Sequence, residues 1–210
     1  MGRREVVVVG AGGHARSLIS IIKDEGVVVT AVYDDSFGDP AYSQSVLDVP
    51  ILGNLSDVPA GGSVLPASGD NATRERFARL VVEQRESYLA KYVSERAIVS
   101  AWGVVVKNGS CVFPMAYVGS SVRIGFGCII NTGAIVEHDT QIGDYSHISI
   151  GASVSGSVSI GKRCFIGAGA TLIDKAAVCE DVFIGAGAVV VSDITAPGIY
   201  VGVPAKRLSV

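Results

Sequence analysis

The sequence predicts an α/β N-terminal domain, a Rossmann-like βαβ unit, followed by a left-handed parallel β-helix built from hexapeptide repeats. Two observations carry this expectation. Residues 4–33 read as strand, glycine turn, helix and strand, and residues 112–195 return an aliphatic residue at every sixth position. The division falls near residue 90, giving domains of 1–90 and 91–210 in a chain of 210 residues.

The repeat begins at Val112. It continues through Val118, Ile124, Ile130, Val136, Ile142, Ile148, Val154, Ile160, Ile166, Leu172, Val178, Ile184 and Val190 without a break. Val, Ile and Leu make up about three-tenths of the chain, so chance agreement is on the order of one in ten million. Four residues after each aliphatic stands a small or β-branched residue, such as Ala116, Cys128 or Ala134, and Gly often follows the aliphatic directly. A six-residue period fits neither a helix nor a meander, but it fits a triangular solenoid with one hexapeptide per side. One aliphatic per side points to the axis, and the small residue near the corner lets the chain turn without crowding. Ile98 and Val104 are already in hexapeptide step, and the eight residues from Val104 to Val112 imply a two-residue bulge or irregular coil. Residues 196–207 leave the repeat and close its end.

In the first domain, residues 4–9 read as a buried strand of a parallel sheet. Gly10-Ala11-Gly12-Gly13-His14 follows, then a helix to about Glu25 with Leu18, Ile19 and Ile22 on one face, ended by Gly26. A second strand, Val27 to Tyr33, runs into Asp34-Asp35. Free N–H groups at the helix N-terminus suit a phosphate, and the paired acids suit ribose hydroxyls. One such half suits a mononucleotide better than a dinucleotide. A glycine turn needed only for tight packing is the alternative, and His14 is either a helix-start residue or a phosphate contact. Short strands are expected at Val49–Leu52 and Val64–Ala67, and a helix from Ser68 to about Arg85. Gly69 ends a parallel strand where open sheets bind ligands, with Asp70 or Asn71 as an N-cap. Tyr88 to Glu95 read as a link.

Composition removes several classes of function. The net charge of −3, without basic runs, gives no sign of nucleic-acid binding. Mean hydropathy of +0.45 is explained by valine-rich strands, since no apolar run reaches membrane length. The start is too short an apolar stretch for a signal peptide, so a cytoplasmic location is expected. The four cysteines are no disulfide framework, since Cys128 and Cys164 lie two coils apart, too far to bridge; they read as small buried hydrophobes, with a thiol nucleophile as the alternative. No metal is expected.

Two of the three histidines fall in the repeat. His138, flanked by Glu137 and Asp139, stands off the aliphatic register near a corner, so its ring should reach outward, either as a general base or as an exposed corner histidine with no role. His147, nine residues on, should occupy another side of the prism, with a satisfied surface histidine as the alternative. One site using both would lie between neighbouring prisms, which predicts a trimer.

The segment Ile130–Asp139, the run Ile142-Gly143-Asp144-Tyr145-Ser146-His147 and the close Gly202-Val203-Pro204-Ala205-Lys206-Arg207 resemble the hexapeptide acyltransferases. With Gly10–His14 and Asp34-Asp35, nearly the whole chain resembles the sialic-acid O-acetyltransferase and UDP-4-amino-sugar N-acetyltransferase (PglD-like) group. That resemblance implies acetyl-coenzyme A as co-substrate and a UDP- or GDP-linked amino sugar as acceptor, in a homotrimer. It implies His138 as the base, supported by Asp139 and Glu137, with a Gly156 backbone amide at the oxyanion. The thioester would lie near His147 and the pantetheine arm along Ala168 and Ala186. Lys206 and Arg207 are candidates for coenzyme phosphates, with a solvated basic tail as the alternative. The nucleotide sugar would meet Gly12, Gly13, His14, Asp34, Asp35 and Gly69, with Asn131 also on the substrate side. The rival readings are an O-acetyltransferase using the same base, a carbonic anhydrase lacking its third zinc histidine, and a non-catalytic assembly module.

Overall fold

The valine run at the N-terminus becomes β1 (Glu5–Val9), an inner strand of the first of two units, Met1–Tyr92 and Val93–Val210. The structure, a computed structural model, describes residues 5–85 and 87–208. Arg4, placed in the first strand by the sequence, lies outside the described residues. After β1 come α1 (Gly13–Asp24), β2 (Val28–Tyr33), β3 (Ser45–Val46), β4 (Val49–Gly53), β5 (Ser63–Pro66), α2 (Asn71–Arg85) and β6 (Tyr88–Leu89). The sheet order is β3-β4-β2-β1-β5-β6. Only the β3–β4 pair is antiparallel among these described strands. α1 buries Ala15, Leu18, Ile19 and Ile22 on one stripe, and Gly26 ends it with φ 76°.

Strand β4 falls where the sequence placed one, whereas strands β3 and β6 are absent from the sequence reading. The β3–β4 hairpin turns on Leu47-Asp48, which take φ 48° and 65° without a glycine to announce them. Tyr88–Leu89, read as link, instead extends the sheet beside β5, with Ser63 opposite Tyr88. Because β2 and β5 flank β1 on opposite sides, the chain reverses direction across the sheet at β1. Ligand crevices of open α/β sheets form at such a point.

The second unit is the expected left-handed parallel β-helix. Two-residue strands stack into three parallel sheets, so that Val112, Ile130, Ile148, Ile166 and Ile184 lie one above another. Val118, Val136, Val154, Leu172 and Val190 form the second column. Ile124, Ile142, Ile160 and Val178 form the third. The small residues four positions on are buried in the same core, so each side contributes one large and one small inward residue. In one small-residue column the inward groups also bond the corners: Ser110 Oγ donates to the Gly125 carbonyl at 2.7 Å and Ser146 Oγ to that of Gly161 at 2.8 Å.

The corners obey a rule the sequence did not display. From Gly103 to Gly187 every sixth residue takes a left-handed conformation, with φ between 55° and 74°. Met115, Ser121, Asp139, Tyr145, Ser157, Arg163, Lys175 and Asp181 accept it although it costs an L-residue about 1–2 kcal/mol. The inter-coil ladder offsets that cost, as when the Asp139 amide donates to the Ser120 carbonyl at 2.9 Å. Glycines directly after the aliphatic serve another need. A methyl group on Gly143 or Gly161 would lie 2.5 Å or 2.4 Å from backbone of the next coil.

The register of the first coil corrects the sequence reading. Val99, not Ile98, stacks beneath Val118, and Val106, not Val104, beneath Ile124. Ile98 is 66% exposed. The extra residue sits in the bend around Ala101–Gly103, between Val99 and Val106, rather than between Val104 and Val112. At the other end Gly198–Val201 pairs with Val182–Ile184, and Lys206–Arg207 folds back antiparallel on it.

Ile148 is fully buried whereas Ile150, two residues on, is exposed. Ile148→Ala is therefore expected to lower solenoid stability by about 2–5 kcal/mol and Ile150→Ala by under about 0.5 kcal/mol. Denaturant titration of the full chain, followed by far-ultraviolet circular dichroism, measures both.

Candidate functional site

His138 is carried on a solenoid corner immediately after the strand Ile135–Val136, in the turn that puts Asp139 in the left-handed conformation. Its side chain is 56% exposed, so the ring reaches outward as expected. The Asp139 carboxylate accepts from Nδ1 at 2.9 Å. With the proton held on Nδ1, Nε2 presents a lone pair. The pKa of His138 is raised, chiefly by the hydrogen bond to Asp139. Desolvation opposes this, and the charges of Asp139, Glu137 and Asp174 add to it.

The ring lies over Gly156, one coil along. A methyl group on Gly156 would sit 2.7 Å from Cε1 and Nε2 of His138 and 3.3 Å from Asp174 Oδ1. Among the described residues the Gly156 amide donates to no protein acceptor, while its carbonyl accepts from the Lys175 amide at 2.9 Å. Ser120, His138, Gly156 and Asp174 thus form one corner column with a base and a spare backbone donor side by side.

His147 lies on a flat side of the prism, in the strand His147–Ile148. It is buried, its Nε2 is 3.0 Å from Asn131 Nδ2, and its ring meets the edge of Phe165 with centroids 4.9 Å apart. Asn131 is further fixed because its Oδ1 accepts from the Thr132 amide at 2.8 Å. Ala168 and Ala186 are exposed on a second corner column with Thr132 and Ile150. Within one protomer, then, His138 and Gly156 share a corner, whereas His147 with Asn131 and the two alanines occupy other parts of the prism. Lys206 is exposed in the terminal hairpin, and Arg207 donates to the Pro197 carbonyl at 2.8 Å.

In the first unit the loops after β1 and β5 come together at the reversal point. Gly10 takes φ 107°, and a methyl group there would strike the Ala67 carbonyl at 2.6 Å. Gly12 and Gly13 are different: they are exposed, with open space where a side chain would be. Among the described residues no side-chain hydrogen bond caps the N-terminus of α1, and the positive end of a helix dipole suits an anion. Gly69 approaches His14, a methyl group on it lying 3.9 Å from His14 Cβ. Burial, with Arg74 adding to it, lowers the His14 pKa to about 4, so the imidazole is neutral at pH 7. Arg74 is fully buried and donates to the Ser68 carbonyl at 2.8 Å and to Asn71 Oδ1 at 2.8 Å. Asp70 caps α2 by accepting from the Thr73 amide.

Asp34 accepts from the Ala11 amide at 2.8 Å and from Ser36, so it braces the glycine turn. Asp35 forms an exposed ion pair with Arg76 at 3.1 Å. A cavity of about 410 Å³ opens beside Gly12 and Asp34, with Arg16, Ser36, Tyr42 and Ser43 in its wall. That volume lies in the range of small-molecule sites.

Sequence reasoning missed Asp174, Arg16, Ser36 and Tyr42. Asp174 had a signal, since it stands two 18-residue coils from His138. Arg16 had one too, as a cation in the first turn after the glycines. Ser36 and Tyr42 had none. The buried Cys164 thiol has its pKa pushed up to about 11 by burial, which removes it as a nucleophile near pH 7. No group of three metal-ligating side chains occurs among the described residues.

Comparison with known proteins follows the same division. The PglD N-terminal domain family matches residues 5–81, and the bacterial transferase hexapeptide (six repeats) family matches residues 139–174. The acetyltransferase domain of PglB from Neisseria gonorrhoeae, solved with acetyl coenzyme A, is 31% identical, with 99% of this chain and 100% of that one covered and a TM-score of 0.89. PerB from Caulobacter crescentus, solved with CoA and GDP-perosamine, is 31% identical over 100% of this chain and 98% of that one, with a TM-score of 0.88. An uncharacterized protein, L142 of Acanthamoeba polyphaga mimivirus, is 32% identical over 67% of this chain, which spans 24% of its length.

Two outcomes follow from the geometry. Gly156→Ala forces the His138 ring aside and is expected to cut turnover at least tenfold without loss of fold, read by steady-state rates beside circular dichroism. The depressed His14 pKa makes the unfolded chain the better proton acceptor. Stability is full above the ordinary value of 6.5 and falls toward about 4, by up to about 3 kcal/mol. Denaturant midpoints of the full chain across that range should show the loss, and His14→Gln should flatten it.

Proposed function

From a chain that belongs to the hexapeptide-repeat sugar acetyltransferases of the PglD-like group, we propose an enzyme that acetylates the amino group of a UDP- or GDP-linked amino sugar from acetyl-coenzyme A. The observation that carries this reading is the corner column in which Asp139 fixes the His138 ring over the Gly156 backbone.

The acceptor amine attacks the thioester carbonyl as His138 Nε2 takes its proton. Asp139 holds the tautomer and stabilises the imidazolium, and Glu137 adds negative charge nearby. The Gly156 amide donates to the oxyanion, a contact worth about 3 kcal/mol in comparable sites. Collapse breaks the carbon–sulfur bond, and the proton on His138 passes to the departing thiolate. No acyl-enzyme is required, consistent with the protonated, buried Cys164.

Acetyl-coenzyme A fits the second corner column, where the small side chains of Ala168 and Ala186 leave exposed backbone for a narrow pantetheine chain. His147, with Asn131 beside it, lies on another side, so a site that uses both histidines needs a neighbouring copy. That argues for a homotrimer. Lys206 is assigned to a coenzyme phosphate. The nucleotide is assigned to the first unit, with phosphate at Gly12, Gly13, His14 and Gly69 and ribose near Asp34 and Asp35. The reaction is assigned to the cytoplasm; no helix among the described residues is long and apolar enough to cross a membrane.

His138→Ala is expected to lower kcat about 100-fold or more while acetyl-coenzyme A still raises the Tm of the variant. Near-normal turnover would remove His138 from the reaction. Because the base acts unprotonated and its pKa is raised, kcat/KM should fall as pH drops through a value above 6.5. Asp139→Asn should move that limb to lower pH.

A further inference from the structure

The His138 column ends in a second carboxylate that the reaction as drawn leaves unused. Asp139 serves the Nδ1 edge of the ring at 2.9 Å, whereas Asp174 stands on the opposite edge, across Gly156. The Gly156 methyl position lies 2.7 Å from His138 Nε2 and 3.3 Å from Asp174 Oδ1, so that oxygen is within about 6 Å of Nε2. The ring closes over Gly156, so an acceptor nitrogen reaches Nε2 from the solvent side of the corner, where the Asp174 carboxylate lies within Coulomb range of it. The Asp174 side chain is exposed and makes no hydrogen bond among the described residues, and its neighbour Lys175 directs its amide to the Gly156 carbonyl.

We infer that Asp174 binds the acceptor's ammonium group and thereby selects an amine over a hydroxyl. The inference rests on the acetyl transfer proposed above and assigns the residue that enforces its preference for an amine. A sugar amine near pH 7 is largely R–NH3+, and a hydroxyl is neutral. A carboxylate at this distance gains Coulomb attraction only from the former. The ammonium must lose one proton before it attacks. That proton leaves to solvent along the exposed Asp174, giving R–NH2. Attack then forms the nitrogen–carbon bond and breaks the carbon–sulfur bond. The second amine proton passes through His138 to coenzyme A thiolate, leaving R–NH–COCH3 and CoASH. The titratable groups facing this ring are Asp139, Glu137 and Asp174.

The test is Asp174→Asn in the full chain, assayed with acetyl-coenzyme A and UDP- and GDP-linked 4-amino-4-deoxy sugars beside their 4-hydroxy counterparts. The expected result is a fall of about tenfold in amine kcat/KM, carried mostly by KM. Hydroxyl acylation and coenzyme A affinity should stay within twofold, and Asp174→Glu should recover part of the loss. Equal losses for both acceptors, or an amine kcat/KM within twofold of the parent, overturn the inference while leaving the acetyltransferase reading intact. Absence of transfer from the parent protein to every amine overturns both.

Discussion

The solenoid depends on a backbone constraint at its corners: every sixth residue must sit in the left-handed region so that each hexapeptide turns and the coil closes after three. That constraint makes residues 18 apart into neighbours. It converts a linear pattern into columns, and each column behaves as a one-dimensional stack whose members meet only those above and below. Strain at the non-glycine corners is spread along the ladder of amide-to-carbonyl bonds rather than held at one place.

Chemistry is placed by the same columns. His138 is near Gly156 and Asp174 because of coil spacing alone, and an imidazole over a glycine needs no loop to position it. A rigid strand-turn platform suits the proposed roles of His138 and the Gly156 amide, since sub-ångström placement matters at a reacting centre. On the flat side, His147, Phe165 and Phe183 stack through the same registry, the two phenylalanine rings lying 4.7 Å apart and nearly parallel. That ladder packs His147 and Asn131 as a fixed pair, unlike the outward His138.

The first unit solves a different problem. Its glycine turn divides the labour: Gly10 is required by backbone shape and by the Ala67 carbonyl, whereas Gly12 and Gly13 leave space that the protein itself does not fill. Asp34 holds the turn from below, and the buried Arg74 holds the opposing Ser68–Asn71 loop through backbone and side-chain acceptors. Burial, with the Arg74 charge adding to it, keeps the adjacent His14 neutral. The result is a helix end whose exposed glycines are framed by Asp34, Arg16 and a neutral His14.

The amino-acid sequence alone determined the periodicity, and with it the three-sided solenoid, the βαβ start and the outward corner position of His138. These are local signals, because side-chain period and turn residues are written in neighbouring positions. It misplaced the first coil, since Ile98 and Val104 fit the period as well as Val99 and Val106, and only stacking against Val118 and Ile124 chooses between them. It did not reveal the β3–β4 hairpin, whose turn uses Leu47-Asp48, nor that Tyr88–Leu89 belongs to a sheet. The tertiary structure decided what each polar residue faces: Asp34 bracing its own turn, His14 neutral beside Arg74, Asp174 across Gly156 from His138. Such facts depend on burial and on contacts between distant residues, which no single stretch of chain encodes.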